Sequence, residues 1–113
     1  MGMSRPVTVT YLYSRACPSH DEGLDLLREA AATAGVDVRV EAIEVEDDAQ
    51  AELLRFPGSP TYLVGGDDPF APEGPAHAFR QDACRAYRTP DGRVGPLPAR
   101  EDLEAALLAG AAA

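Results

Sequence analysis

Two cysteines in 113 residues are too few to staple a secreted scaffold, so each thiol has to be explained as reactive, metal-binding or structural. Basic residues are also in short supply. Ten Lys and Arg stand against nineteen Asp and Glu, and the formal net charge of -9 repels nucleic acid and anionic membrane surfaces at long range. No window approaches the ~18 uninterrupted apolar residues that a membrane span needs. The opening Met1 to Pro6 lacks the basic-then-apolar layout of a secretory leader. A cytoplasmic protein that binds neither nucleic acid nor membrane is the expectation. No segment repeats, and the length suits one domain, residues 1–113, burying about two thirds of the surface of its unfolded chain.

What is present is enough for a globular core, with 45% hydrophobic residues against 26% charged. Val7 to Tyr13 alternates and is rich in β-branched and aromatic residues, which predicts a first, buried strand. From His20 or Asp21 the spacing turns helical. Leu24, Leu27 and Ala31 share a stripe, Asp21, Glu22, Asp25, Arg28 and Glu29 lie mostly opposite, and Gly35 supplies the stop. Val36 to Val45 predicts a second strand with Val36, Val38, Val40 and Ala42 on one face, and the change of phase at Ile43 and Val45 marks a bulge or the strand's end. Glu46, Asp47 and Asp48 open a short helix, since negative charge is favoured there, and Pro57-Gly58 breaks it.

Ser59 to Val64 then predicts a third strand, entered through Pro60 because proline cannot donate to a ladder. Asp67 to Ala83, with three prolines and little periodicity, reads as a long loop. Cys84 to Thr89 is a short fourth strand, Pro90-Asp91-Gly92 a turn, and Leu103, Ala106 and Leu107 define a last amphipathic helix that stops at Gly110. The order is βαβαββα. The first crossover makes the first two strands parallel, and the directly joined last two should be antiparallel.

Cys17-Pro18 after the first strand and Gly58-Ser59-Pro60-Thr61 before the third, within this order of elements, resemble the thioredoxin superfamily from about Val7 to Leu108. Adding Asp68-Pro69-Phe70 and Cys84-Arg-Ala-Tyr-Arg-Thr89, the chain is similar to a group of small bacterial thioredoxin-like proteins. The resemblance implies an α/β fold with a central mixed four-stranded sheet flanked by three helices. It also implies a nucleophilic Cys17 at the start of the first long helix and a cis-proline, Pro60, packed beside it. The departure lies in Cys17-Pro18-Ser19-His20, where His20 stands in place of the second thiol of Cys-x-x-Cys.

A free cysteine titrates near ~8.5, and a helix N-terminus lowers that value and raises the share of attacking thiolate. His20, three residues on, is expected to hydrogen-bond the sulfur as a neutral imidazole, because the positive helix end disfavours the imidazolium. Asp21 and Glu22 oppose a thiolate, so the activation should be modest. Cys84 resolves a mixed disulfide if it reaches Cys17, although plain strand geometry starts the fourth strand at the far end of the sheet.

The expected catalytic set is Cys17, His20 and Cys84. Pro18, Ser59 and Pro60 lie on the substrate side, with the Ser59 backbone pairing to an extended peptide. The expected activity is that of a thiol:disulfide oxidoreductase or monothiol reductase acting on a protein or small-molecule thiol or disulfide. It calls for no cofactor and no resident metal, in a monomer or weak homodimer. The competing reading is a non-catalytic module whose groove holds a partner protein or a thiophilic metal, for which Cys17, His20 and Cys84 are soft donors.

Overall fold

The alternating run at the start of the chain becomes the centre of the molecule. In the computed structural model, which describes residues 6–70 and 85–112, β1 (Val7–Tyr13) has a neighbour on each side. β2 (Val38–Glu44) pairs with it in parallel, Val7 with Val38 through Tyr13 with Glu44. β3 (Thr61–Val64) pairs with it antiparallel, Val9 with Val64 and Leu12 with Thr61. The parallel pair follows from the helical crossover α1 (His20–Ala34), as expected. The remaining elements are α2 (Asp48–Leu54), β4 (Tyr87–Arg88), β5 (Val94–Gly95) and α3 (Arg100–Ala112).

Alternation in β1 divides the core in two. Val7, Val9 and Tyr11 face α1 and α3 through Leu27, Ala30, Ala31, Leu103 and Leu107, while Leu12 meets Val45, Ala51 and Phe56 beside α2. The change of phase in β2 has the same cause. Its ladder runs unbroken, without a bulge, and Val38 and Val40 pack on the first cluster while Ile43 and Val45 belong to the second.

Helix ends follow local chemistry. Gly35 closes α1 in the left-handed conformation at φ 68, and the Asp47 carboxylate caps α2 by accepting the Gln50 N–H at 2.7 Å. Gly110 does not stop the last helix. α3 continues to Ala112, and a Cβ at Gly110 would lie 2.6 Å from Val64 Cγ1, so this glycine allows close packing. Gly23 serves α1 in the same way, since a Cβ there would meet the Tyr11 hydroxyl at 2.5 Å and Pro60 Cγ at 2.9 Å.

The expected central four-stranded sheet is not formed among the described residues. The central sheet has three strands in the order β2-β1-β3, and β4 pairs instead with β5 in a separate antiparallel two-stranded sheet, Tyr87 with Gly95 and Arg88 with Val94. Among the described residues the order is thus βαβαβββα. The Pro90-Asp91-Gly92 turn folds β4 back, with Gly92 at φ 87, and the sequence reading missed the strand that follows it. β4 is also too short to extend a ladder along β3. Among the described residues the segment is held there by one backbone bond, Arg85 N–H to Ser59 C=O at 3.1 Å, and by side chains described below.

Candidate functional site

The stretch between β1 and α1 turns tightly. Cys17 donates its backbone N–H to the Ser14 carbonyl at 3.1 Å, and His20 donates its own to the Cys17 carbonyl at 3.4 Å. Ser19 is the cap position of α1, so Cys17 precedes the helix and does not sit in its first turn. Its side chain is 2% exposed, and the thiol donates to the Ser59 carbonyl oxygen at 3.6 Å. Pro18 is exposed beside it.

Ser59 and Pro60 are joined by a cis peptide bond. The buried Ser59 connects three parts of the chain. Its hydroxyl oxygen accepts the Ser14 N–H at 3.0 Å, and its carbonyl oxygen accepts both the Cys17 thiol and the Arg85 N–H. The carbonyl considered for pairing with an extended peptide is therefore occupied from within the chain. Pro60 is fully buried, and its carbonyl accepts the Tyr87 hydroxyl.

Of the residues singled out in the sequence, Cys17, Ser59 and Pro60 come together. His20 does not join them. Its ring stacks on Tyr13 with centroids 5.2 Å apart, its Nδ1 lies 3.2 Å from Asp21 Oδ1, and no hydrogen bond links it to the Cys17 sulfur. Cys84 lies outside the described residues, as do residues 71–83 of the long loop. Arg85, the next residue after Cys84, is described and meets the first residues of the β3 entry rather than the far end of that strand. The expectation that the fourth strand starts at the far end of the sheet rested on a β3–β4 ladder, and the described residues form none.

Arg85 is the residue that sequence reasoning missed. Its guanidinium is buried, with Nη1 2.9 Å from Asp68 Oδ2 and Nη2 3.1 Å from Asp68 Oδ1. It also donates to the Thr61 hydroxyl at 3.3 Å and to the Phe70 carbonyl, and it lies 4.5 Å from the centre of the Tyr87 ring. Planar donors on a fixed fork suit such a convergence of carboxylate, carbonyl and ring. The Asp-Pro-Phe and Cys-Arg-x-Tyr motifs are thus two halves of one buried assembly, completed by the edge-to-face contact of Phe70 with Tyr87. A signal was present: an arginine two residues before a tyrosine in a strand pattern shares that tyrosine's inward face and requires a carboxylate.

Three tyrosines line the same region. Tyr11 donates its hydroxyl to the His20 carbonyl, Tyr62 to the Gly23 carbonyl at 2.7 Å, and Tyr87 to the Pro60 carbonyl. Burial above all holds all three phenols protonated well beyond the usual tyrosine range. The electrostatic influence of Cys17 adds to this at Tyr11, and that of Tyr11 adds to it at Tyr62. At Tyr87, Arg85 opposes the shift without overcoming it.

Fold and site together define a small α/β protein with the buried Cys17 thiol set against a cis-proline entry and an arginine–carboxylate pair nearby. Comparison with protein-family models, curated proteins and solved structures gave no match. Among the described residues no three His, Cys, Asp or Glu side chains gather as a metal site, and no helix is long and apolar enough to cross a membrane.

Proposed function

We propose that the chain is a thiol–disulfide protein related to the thioredoxin superfamily, with Cys17 as the nucleophile and Cys84 as the second thiol. One observation carries this reading: the Ser59 carbonyl oxygen accepts both the Cys17 thiol and the N–H of Arg85, the residue bonded to Cys84.

In the proposed reaction the Cys17 thiolate leaves the Ser59 carbonyl and attacks one sulfur of a substrate disulfide across the exposed Pro18 rim. A protein–substrate disulfide forms and the other substrate sulfur departs as a thiolate. Cys84 then attacks the Cys17 sulfur and expels the second substrate thiolate. The protein gives up two electrons and its two thiol protons, and the substrate becomes two thiols. A low-molecular-weight thiol or a partner dithiol restores the protein by the reverse exchange. His20 carries no step in this reading. The reducing cytoplasm is the compartment that suits it.

A second reading is supported by the 2% exposure of Cys17, which keeps the thiol from easy attack. The chain then acts as a non-catalytic module that holds a partner protein. The two separate in one experiment, treatment of the reduced protein with a small-molecule disulfide followed by peptide mass mapping. A linked Cys17–Cys84 peptide, with loss of two hydrogens from the intact mass, is the expected result. Adducts confined to Cys17 restrict the chemistry to a monothiol reaction and remove Cys84 from it. An unreacted Cys17 under conditions that modify a free peptide thiol overturns the redox reading.

A further inference from the structure

Among the described residues the outer edge of β2 has a free ladder of limited length. The Val7 N–H donates to the Asp37 carbonyl at 2.8 Å and the Val45 N–H to the Tyr13 carbonyl at 2.8 Å, which fixes which backbone groups face β1. The odd-numbered residues of β2 turn inward, and Val38, Val40, Ala42 and Glu44 present their N–H and C=O groups outward. The ends of this edge are partly engaged within the chain. The Val36 N–H donates to the Ala31 carbonyl at 3.0 Å, and the Glu44 carbonyl accepts from Gln50 Nε2 at 3.3 Å. What stays open is a window of Val38, Val40 and Ala42, symmetric about Val40.

The side chains around that window complement their own copy. Arg39 and Glu41 flank Val40, are both exposed, and make no ion pair among the described residues. Charges placed on an edge to prevent association would be of one sign or would point inward. Here the two signs sit at equal distances on either side of a central residue. An antiparallel partner centred on Val40 therefore brings each Arg39 opposite the partner's Glu41.

We propose that β2 pairs with the β2 of a second copy about a twofold axis through Val40, giving one continuous six-stranded sheet. Val40 faces the partner's Val40 in a hydrogen-bonded pair, and Val38 faces the partner's Ala42. The Val38, Val40 and Ala42 N–H groups of each protomer all find a carbonyl, making six bonds. Arg39 and the partner's Glu41 occupy the non-hydrogen-bonded position between them, where cross-strand side chains lie closest. Neither Asp37 nor Glu44 meets a like charge directly, since their opposites are the partner's Ile43 and Val36. The contact is isologous, so it closes at two copies and leaves no strand of the window for a third. A three-residue edge buries little area, which places the association at about 10 µM to 1 mM rather than tighter.

Sedimentation of the full chain across that concentration range at low salt tests the contact, read together with amide exchange. The wild type should shift from monomer to dimer, and exchange at Val38, Val40 and Ala42 should slow as concentration rises. Arg39→Glu should weaken the dimer about tenfold or more, and Arg39→Glu with Glu41→Arg should restore it, because the swapped pair is again complementary. Arg28→Glu on the exposed face of α1 makes the same change in net charge and should leave the dimer unchanged. A chain that stays monomeric to ~1 mM, a dimer indifferent to Arg39→Glu, or a double variant as weak as the single one each overturns the proposal.

Discussion

The sheet β2-β1-β3 and the β4–β5 segment are built by different means. The first is a backbone ladder, continuous over seven residues of β1 on one side and four on the other. Among the described residues the second reaches the core through one backbone bond, from Arg85 to Ser59, and then through side chains. The Arg85 guanidinium lies on Asp68, Thr61 and the Phe70 carbonyl, and the Tyr87 hydroxyl lies on the Pro60 carbonyl. A ladder spreads its stability over many equivalent bonds, so no single side chain decides it. An assembly of few, dissimilar contacts depends on each member.

The difference predicts where substitution costs most. Arg85→Met leaves the Asp68 carboxylate without its partner and the Phe70 carbonyl without its donor, and should cost about 3–5 kcal/mol in a denaturant titration, the usual effect of breaking a buried pair. Changing Asp68 to leucine in the same chain should recover much of that loss, because no buried charge is then left alone. A loss below 1 kcal/mol for the single change would mean that the segment is held by something other than Arg85.

A second test perturbs both regions through their tyrosines. Tyr11 and Tyr62 belong to the ladder and Tyr87 to the side-chain assembly, and burial raises all three hydroxyls above the ordinary value of 10.0. Below that value both the folded and the unfolded chain keep the phenolic proton, and the full stability is present. Above it the unfolded chain ionises while the folded one does not, so stability falls as pH rises. Each tyrosine adds at most about 1.4 kcal/mol per pH unit to that fall. Urea midpoints measured from pH 9 to 11 should decline steeply, and a flat profile would show that the hydroxyls ionise in place.

The smallest effect sharpens the comparison from the ladder side. Gly23→Ala places a methyl group against the Tyr11 hydroxyl and Pro60 and should cost about 1–3 kcal/mol, with Tyr62 losing its bond to the Gly23 carbonyl as α1 moves outward. Equal or greater stability would show that α1 has room to shift, and that the glycine is not what lets helix and sheet approach.

Much of the ladder was legible in residue order. Alternation in Val7–Tyr13 fixed the central strand, the stripe from Leu24 to Ala31 with Gly35 fixed α1, and the crossover between them fixed the parallel pair. The meeting of Cys17 with Pro60 was what the resemblance to the thioredoxin superfamily implied, carried by Cys17-Pro18 and Gly58-Ser59-Pro60-Thr61, and no period in the chain showed it. His20 was not placed correctly by spacing alone. A three-residue interval suggests contact only within a helix, and the turn at Cys17 ends before the helix begins.

By itself, then, the sequence determined the elements that repeat with a period and the end of the sheet at which they deliver a thiol. Period is a local property and survives in any fold. Tertiary structure alone decided that β4 leaves the central sheet, that Gly110 is a contact rather than a stop, and that Arg85 binds Asp68 and Ser59. Those outcomes depend on where residues far apart in the chain find room and opposite charge, and no spacing along the chain encodes that.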